Sequence, residues 1–409
     1  FDGPVLLPKI LKKDGPVKLF YLGSFENYRE KTPGGLVNSY AEPEMRTGDF
    51  SKLTNPAGAP VLIYDPIGAT PDAADNPVRL PFPGNRIPAN RIVPFATNLM
   101  KFMPAPNGTT PGLGYSRGNH LLPQYSANDK YYNLILKFDW NFGDKHRAFV
   151  RHGSNDRTED RAVNGIDNKV GTDGQQPFQR INDAYVVDWV STLSPTLIFN
   201  IRGSYGRFIE KGFGRANEGF DLTSLGFSSA LVSRLPSPAY FGVWNIGGYS
   251  NLGRTQSNNF SNTYSMASSI TKIYGTHSMK TGIDLRRTHY LTQNTGNILN
   301  LSFNADWTRR DWRQAEATAG DGFASFLLGL PTGGGSNFPL YPFFRQWYFA
   351  PYFQDDWKVT RKLTLNLGLR WDANMAPDEK WNRLNRGFDR GATSPIAALI
   401  PASFKQTTP

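Results

Sequence analysis

Residues Arg361 to Asp372 read RKLTLNLGLRWD. Leu363, Leu365, Leu367, Leu369 and Trp371 take alternate positions, and Lys362, Thr364, Asn366, Gly368, Arg370 and Asp372 take the others. Successive side chains of a strand point to opposite faces of a sheet, so this segment predicts a strand with one apolar and one polar face. Tyr131 to Phe142 (YYNLILKFDWNF) repeats the pattern. Tyr132, Leu134, Leu136, Phe138, Trp140 and Phe142 share one side, while Asn133, Lys137, Asp139 and Asn141 fall on the other. Looser versions occur at 196–207 and 278–286.

The expected strands pair across short joins. Strands at 131–142 and 147–153 meet at Gly143–His146, those at 183–193 and 196–208 at Ser194-Pro195, those at 263–274 and 278–290 at Gly275–His277, and those at 346–358 and 361–372 at Val359-Thr360. Joins of this length are hairpin turns. Between the pairs lie long connections at roughly 154–182, 209–262 and 291–345. Tight turns alternating with long loops is the rhythm of a transmembrane β-barrel, whereas soluble sandwiches place turns every 8–12 residues.

Aromatic spacing fits the same reading. Tyr132 and Trp140 lie eight residues apart on one face, and Trp347 and Trp357 form a similar pair. Eight residues of tilted strand rise roughly 20 Å, close to the ~25 Å apolar band with aromatic girdles of a membrane barrel. Such aromatics also pack inside soluble β cores. Several pairs with charged residues on the opposite face favour lipid outside and water inside.

Composition bounds the alternatives. The 409 residues carry 45 Lys+Arg and 34 Asp+Glu, a formal charge of +11, with no cysteine. Disulfides, zinc–thiolate sites, iron–sulfur clusters and thiol catalysis are therefore excluded. The longest strongly apolar run, Phe323 to Leu330 (FASFLLGL), is far below the ~18–20 residues of a membrane helix. Barrel strands produce no such run. The positive charge is dispersed, without the clustered basic face that nucleic-acid binding needs, so no nucleic-acid partner is expected. The chain begins at Phe1 without a signal peptide, and the expectation is an internal piece of a longer protein or one whose leader has been removed.

Segment 31–130 holds 15 of the 30 prolines and reads as a long loop. Phe95, Leu99 and Phe102 recur at helical spacing behind Pro94, predicting a short helix near 91–102. A second helix is expected at about 309–330, before Pro331 and Gly333–Gly335.

Chemical motifs are sparse. His120, His146, His152, His277 and His289 show no metal-ligand spacing, and 164–174 (NGIDNKVGTDG) lacks the ligand order of a calcium loop. No phosphate loop or nucleophile elbow occurs, and Asp355-Asp356 would point to opposite faces of a strand. No catalytic residue, cofactor or metal is expected. Phe338 to Tyr352 (FPLYPFFRQWYFAPY) carries eight aromatics and one Arg. Phe338, Tyr341, Phe343, Phe344 and Arg345 are candidate ligand contacts there, since exposed aromatics stack on sugars or grip peptides. The same stretch also reads as a loop climbing through an aromatic girdle into a strand.

Tyr352 to Trp371 (YFQDDWKVTRKLTLNLGLRW) resembles the signature hairpin of the Oar-like TonB-dependent receptors. Phe82 to Asn107 (FPGNRIPANRIVPFATNLMKFMPAPN), Asn133 to Arg151, Gly322 to Pro331 (GFASFLLGLP) and Lys18 to Pro33 (KLFYLGSFENYREKTP) are similar to further elements of that family, in the same order. The resemblance covers nearly the whole chain. It implies an outer-membrane barrel of about 22 strands around a plug, with a TonB box that engages the TonB complex. About ten strands are expected here, with neither plug nor TonB box.

The expectation is therefore an all-β, antiparallel transmembrane β-barrel, partial at about ten strands, with long extracellular loops. Residues 1–17 are expected as a junction, 18–30 as a barrel strand, 31–130 as a Pro-rich extracellular loop, 131–373 as barrel hairpins and 374–409 as a loop. Leu134, Leu136, Phe138, Leu363, Leu365, Leu367 and Leu369 are expected to face lipid, and Tyr132, Trp140, Trp347, Trp357 and Trp371 to form the girdle. The expected function is ligand capture by the loops and energised uptake, without enzymatic activity. Its partners would be outer-membrane lipid, the TonB complex and a small or polymeric ligand. The rivals are a surface β protein that binds polysaccharide through loop aromatics, and a passive porin.

Overall fold

The computed structural model describes residues 1–5, 18–71, 77–161, 175–212, 219–235, 240–253, 257–294, 299–336, 341–384 and 391–392. Ten strands form one antiparallel sheet in chain order: β1 (Asp2–Pro4), β2 (Leu19–Asn38), β3 (His120–Asn141), β4 (His146–Arg161), β5 (Gln175–Ser194), β6 (Leu197–Gly212), β7 (Ser257–Tyr274), β8 (His277–Asn294), β9 (Phe343–Lys358) and β10 (Thr364–Arg370). Two short segments, Ala373–Asn374 and Asp378–Glu379, extend the pairing along β9 beyond β10. Among the described residues no helix is long and apolar enough to cross a membrane.

The strands are longer than their alternating segments. β3 has 22 residues and β5 has 20. The two ends of the Pro-rich segment, Lys31–Asn38 and His120–Lys130, are not loop but continue β2 and β3, with Pro33 paired to Ser126. Pro33 sits one residue before an irregularity in that pairing at Gly34, a place that tolerates a missing donor. Residues Asp2–Pro4 of the expected junction pair with β2. The last tight turn runs from Val359 to Leu363, so Leu363 precedes β10. Asn374 and Asp378–Glu379 keep to the β9 ladder where a loop was expected.

Register carries one set of residues across seven adjacent strands, β3 to β9. The partners Trp140, Ala148, Trp189, Ile201, Ser268, Ile283 and Pro351 form one row. Trp140 is one residue from the tight-turn end of β3, whereas Pro351 is seven from the tight-turn end of β9. This drift of six residues over six strand steps, with the turns in one plane, is a strand tilt of roughly 35°, as membrane barrels require.

The long connections do not stay separate. The described residues of segments 39–119, 219–253 and 299–336 fold together into a cap on the side opposite the tight turns. A parallel pair joins Val243–Ile246 to Asn300–Phe303, and Gly333–Gly335 adds an antiparallel edge. All residues of the buried hydrophobic cluster lie in this cap, among them Met45, Phe50, Ile63, Leu99, Leu225, Trp244, Phe303 and Phe326. The barrel wall is a single layer with two exposed faces, so the cap holds the chain's packed core.

Local chemistry explains the cap's joints. Gly84 and Asn85 adopt positive φ in the turn after Pro83, and the Asn85 side chain donates to the carbonyls of Phe50 (2.7 Å) and Val61 (2.9 Å). The helix expected at 91–102 is Pro94–Met100, with Leu99 fully buried. The helix expected at 309–330 shortens to Gly322–Leu327, because Asp321 caps its start by accepting from the Phe323 amide at 2.8 Å. Gly322 allows close approach of chains: a β-carbon there would lie 2.6 Å from the Gly247 carbonyl oxygen.

Candidate functional site

The sheet has two chemically distinct faces. On the first, Leu134, Leu136 and Phe138 of β3 are brought onto the same side as Leu365, Leu367 and Leu369 of β10 by the register of every strand between them. Tyr132, Trp140, Trp347 and Trp357 share this face, and Trp371 continues its alternation just past β10. A belt of Tyr132, Tyr185, Tyr205, Tyr264 and Trp347 lies eight to eleven residues from the tight-turn ends of the strands. Tyr185, Tyr205 and Tyr264 are ring neighbours, at 6.4 and 5.1 Å. At the opposite rim stand Trp140, Tyr274 and Trp357. The eight to ten residues between belt and rim correspond to roughly 22–27 Å of height, matching the ~25 Å apolar band of membrane barrels.

The second face mixes apolar residues such as Phe149 and Val186 with recurring charged pairs. Lys137 pairs with Asp139 (2.6 Å), Arg202 with Asp188 (2.8 Å) and Arg286 with Asp284 (2.6 Å). Further toward the cap, Arg157 bonds Asp129 and Glu159, and Arg180 bonds Glu159 (3.2 Å) and Glu210 (3.5 Å). Asn259 donates to Glu210 at 3.0 Å, completing a polar chain over five adjacent strands.

The cap has its own polar centre. The Arg117 guanidinium donates to Asp321 Oδ2 at 2.9 Å and stacks on Tyr249 at 4.1 Å, while the Tyr249 hydroxyl donates to Asp321 Oδ1 at 3.1 Å. Burial opposes the charge on Arg117, but Tyr249 and Asp321 outweigh it and raise its pKa. Burial, then the Asp321 carboxylate, raises that of Tyr249. Arg117 and Asp321 line a cleft of about 470 Å³ with Ser39, Asn55, Leu113 and Gly320. Nearby, Glu44 accepts from Lys52 (2.8 Å) and Tyr115 (2.5 Å), and these bonds bring its pKa down to about 2.

The expected ligand contacts are not gathered into one patch. Phe338 lies outside the described residues. Tyr341 has a positive φ of 44°. Phe343, Phe344 and Arg345 open β9 rather than a loop, on alternating faces. Phe343 touches His289 and Trp381, Phe344 stacks on Tyr290 at 5.0 Å, and Arg345 pairs with Asp378. The candidate calcium segment 164–174 also falls outside the described residues. Among the described residues no group of three or more metal-ligating side chains occurs. Sequence reading missed the Arg117–Asp321–Tyr249 centre. Its only local signal was Asp321 in front of the apolar run Phe323–Leu330.

A single apolar face with two aromatic rims, an opposite face with recurring charged pairs, tilted antiparallel strands and tight turns on one side define a membrane β-barrel wall. Residues 1–408 match the family described as outer membrane beta barrel domain, and the chain belongs to that family. It is an outer-membrane protein. Among solved structures it is similar to the pyoverdine-bound FpvA of P. aeruginosa, with 12% identity over 62% of this chain and 32% of that one, at a TM-score of 0.37. It is also similar to the copper transporter OprC, with 12% identity over 61% and 32% of the two chains and a TM-score of 0.31. The siderophore receptor PiuA from Acinetobacter baumannii gives 13% identity over 60% and 35%, with a TM-score of 0.31. The chain spans about a third of the length of these proteins. None of the curated proteins compared matches it.

Proposed function

We propose that the chain is the wall and extracellular cap of an Oar-like TonB-dependent receptor, which captures a ligand at the cap side and admits it by energised uptake. In this reading the face of Leu134, Leu136, Phe138, Leu365, Leu367 and Leu369 meets lipid, with Leu363 in the adjoining turn. The face of Lys137, Asp188, Arg202 and Arg286 meets the lumen. The tight turns lie on the periplasmic side and segments 39–119, 219–253 and 299–336 outside the cell.

The observation that carries this reading is the cap. Its core joins a loop rooted on β2 and β3 to loops rooted on β6–β7 and β8–β9. Those roots are four to six strand steps away, roughly 20–30 Å along the wall. Chains converging from so wide an arc cross the mouth of the barrel. A covered mouth suits a receptor that must recognise its ligand before opening, and suits a free-running pore poorly.

The test is made on the intact protein. It should bind the periplasmic domain of TonB and show no steady conductance in a planar bilayer. Steady conductance without TonB binding would establish the passive porin instead. Recovery in the soluble fraction would favour the polysaccharide-binding surface protein.

A further inference from the structure

At the aromatic belt and just past it, on the apolar face, the sheet carries a cationic cluster that neither the wall nor the cap explains. Arg287 of β8 lies over the Trp347 ring at 4.7 Å. His289, two residues on, pairs in register with Arg345 and touches the rings of Tyr264 (5.5 Å) and Phe343 (5.4 Å). Lys380 sits over the other side of this group, 5.2 Å from the Phe343 ring. Asp378, bound to Arg345, is the acidic member. Among the described residues, Arg287 Nε and His289 Nε2 are shielded from solvent and have no hydrogen-bond partner. Buried donors and acceptors of this kind are ordinarily satisfied, so two at one place are free to bond a further polar group.

Directly below runs a groove of about 240 Å³ lined by Tyr264, Met266, Leu285, Arg287 and Trp347. Arg287 and His289 stand ten and twelve residues from the tight-turn end of β8. With a tilt of roughly 35° this places them about 27–32 Å above the turns, just beyond the ~25 Å apolar band and level with lipid headgroups. Apolar groove below and cations above is the order of groups in an acyl lipid whose headgroup carries phosphate. Arginine donors suit phosphate oxygens, and cations at this height attract anionic headgroups.

We propose that Arg287 and His289, with the groove beneath them, form a binding site for a phosphate-bearing lipid of the outer leaflet. The phosphate sits against Arg287 Nε and the His289 ring, and one acyl chain lies along Met266 and Leu285. The inference rests on the lipid-facing assignment proposed above.

The experiment is native mass spectrometry of the intact protein, offered phosphatidic acid and diacylglycerol with the same acyl chains. Phosphatidic acid should be retained at least about ten-fold more than diacylglycerol, as the interfacial cations Arg287 and Lys380 imply. The Arg287→Gln/His289→Gln double variant should lose that excess, while Lys272→Gln, at the turn end of the same face, keeps it. Millimolar inorganic phosphate should leave the lipid in place. Equal retention of the two lipids by the wild type overturns the proposal whatever the variants' folding. Displacement by phosphate alone overturns it in favour of a free-anion site. Quenching by brominated lipid, compared between wild type and Trp347→Phe, separates the premises. If Trp347 is not quenched, the face assignment fails. If it is quenched and phosphate gives no preference, this inference alone fails.

Discussion

Arg117 and Asp321 are 204 residues apart in the chain and meet at 2.9 Å in the centre of the cap, where Asp321 is almost wholly buried. Asp321 also starts the helix Gly322–Leu327 and accepts from Tyr249. One carboxylate thus ties the loop before β3, the loop before β7 and the loop before β9. Its removal should loosen the cap as a unit.

Asp321→Asn keeps the shape of the side chain and leaves Arg117 without its counter-charge. Breaking a buried pair this way costs about 3–5 kcal/mol. Limited proteolysis should then cut within 299–336 and 219–253, while the barrel strands keep their protection. Cleavage spread equally over cap and strands would show that the two do not behave as separate units.

The hydrophobic side of the cap makes a parallel prediction. Phe326 is fully buried, edge-on to Phe303 at 5.4 Å and to Phe95 at 5.9 Å. Phe326→Ala should cost about 3–5 kcal/mol. Hydrogen exchange would report it as faster exchange in Pro94–Met100 and Asn300–Phe303, with β4 and β5 unchanged.

Glu44 gives the cap an acid limit. Its carboxyl titrates at about 2, below the ordinary 4.5, because Lys52 and Tyr115 bond the charged form. A depressed carboxylate stabilises the fold fully above its unfolded pKa and loses that contribution as pH falls through the folded one. Proteolytic resistance around Pro43–Arg46 should therefore fall between about pH 4.5 and pH 2. In Glu44→Gln the resistance should be lower at neutral pH and flat over that window.

Neighbouring residues on opposite faces of β7 should respond differently to charge. Ile270 lies four residues from the tight-turn end on the apolar face, and Ser269 points to the polar face. In the intact membrane-embedded protein, Ile270→Arg should cost about 2–4 kcal/mol, and Ser269→Arg little. Unfolding in urea from lipid vesicles measures both. Equal costs would deny a lipid face on this side.

The half of each strand nearest its tight turn was legible in the sequence, and the rest was not. Between Tyr132 and Trp140, or Leu365 and Leu369, one face must be apolar and the other polar, so period-two alternation stands out. Beyond the aromatic belt that contrast ends. On one face His289, Arg345 and Arg207 succeed the belt, and Arg157 and Arg180 occupy the other. The same β-ladder therefore runs on through Lys31–Asn38 and His120–Lys130 without an alternating signature. The cap was less legible still. Its core is assembled from residues as distant as Met45, Leu225 and Phe326, and no single segment carries its periodicity. Arg117 and Asp321 look like ordinary surface charges until folding brings three loops together.

The central claim is that one wall separates lipid from water along Leu367 and Asn366. These 409 residues carry no cysteine, so once any cysteine elsewhere in the intact protein is replaced, single-cysteine labelling reads that boundary. In the intact protein within outer membranes, Asn366→Cys should react with a water-soluble maleimide. Leu367→Cys should resist that reagent and, once carrying a fluorophore introduced in detergent, be quenched by brominated lipid. Reaction of Leu367→Cys with protection of Asn366→Cys, or equal reaction of both, would contradict the account.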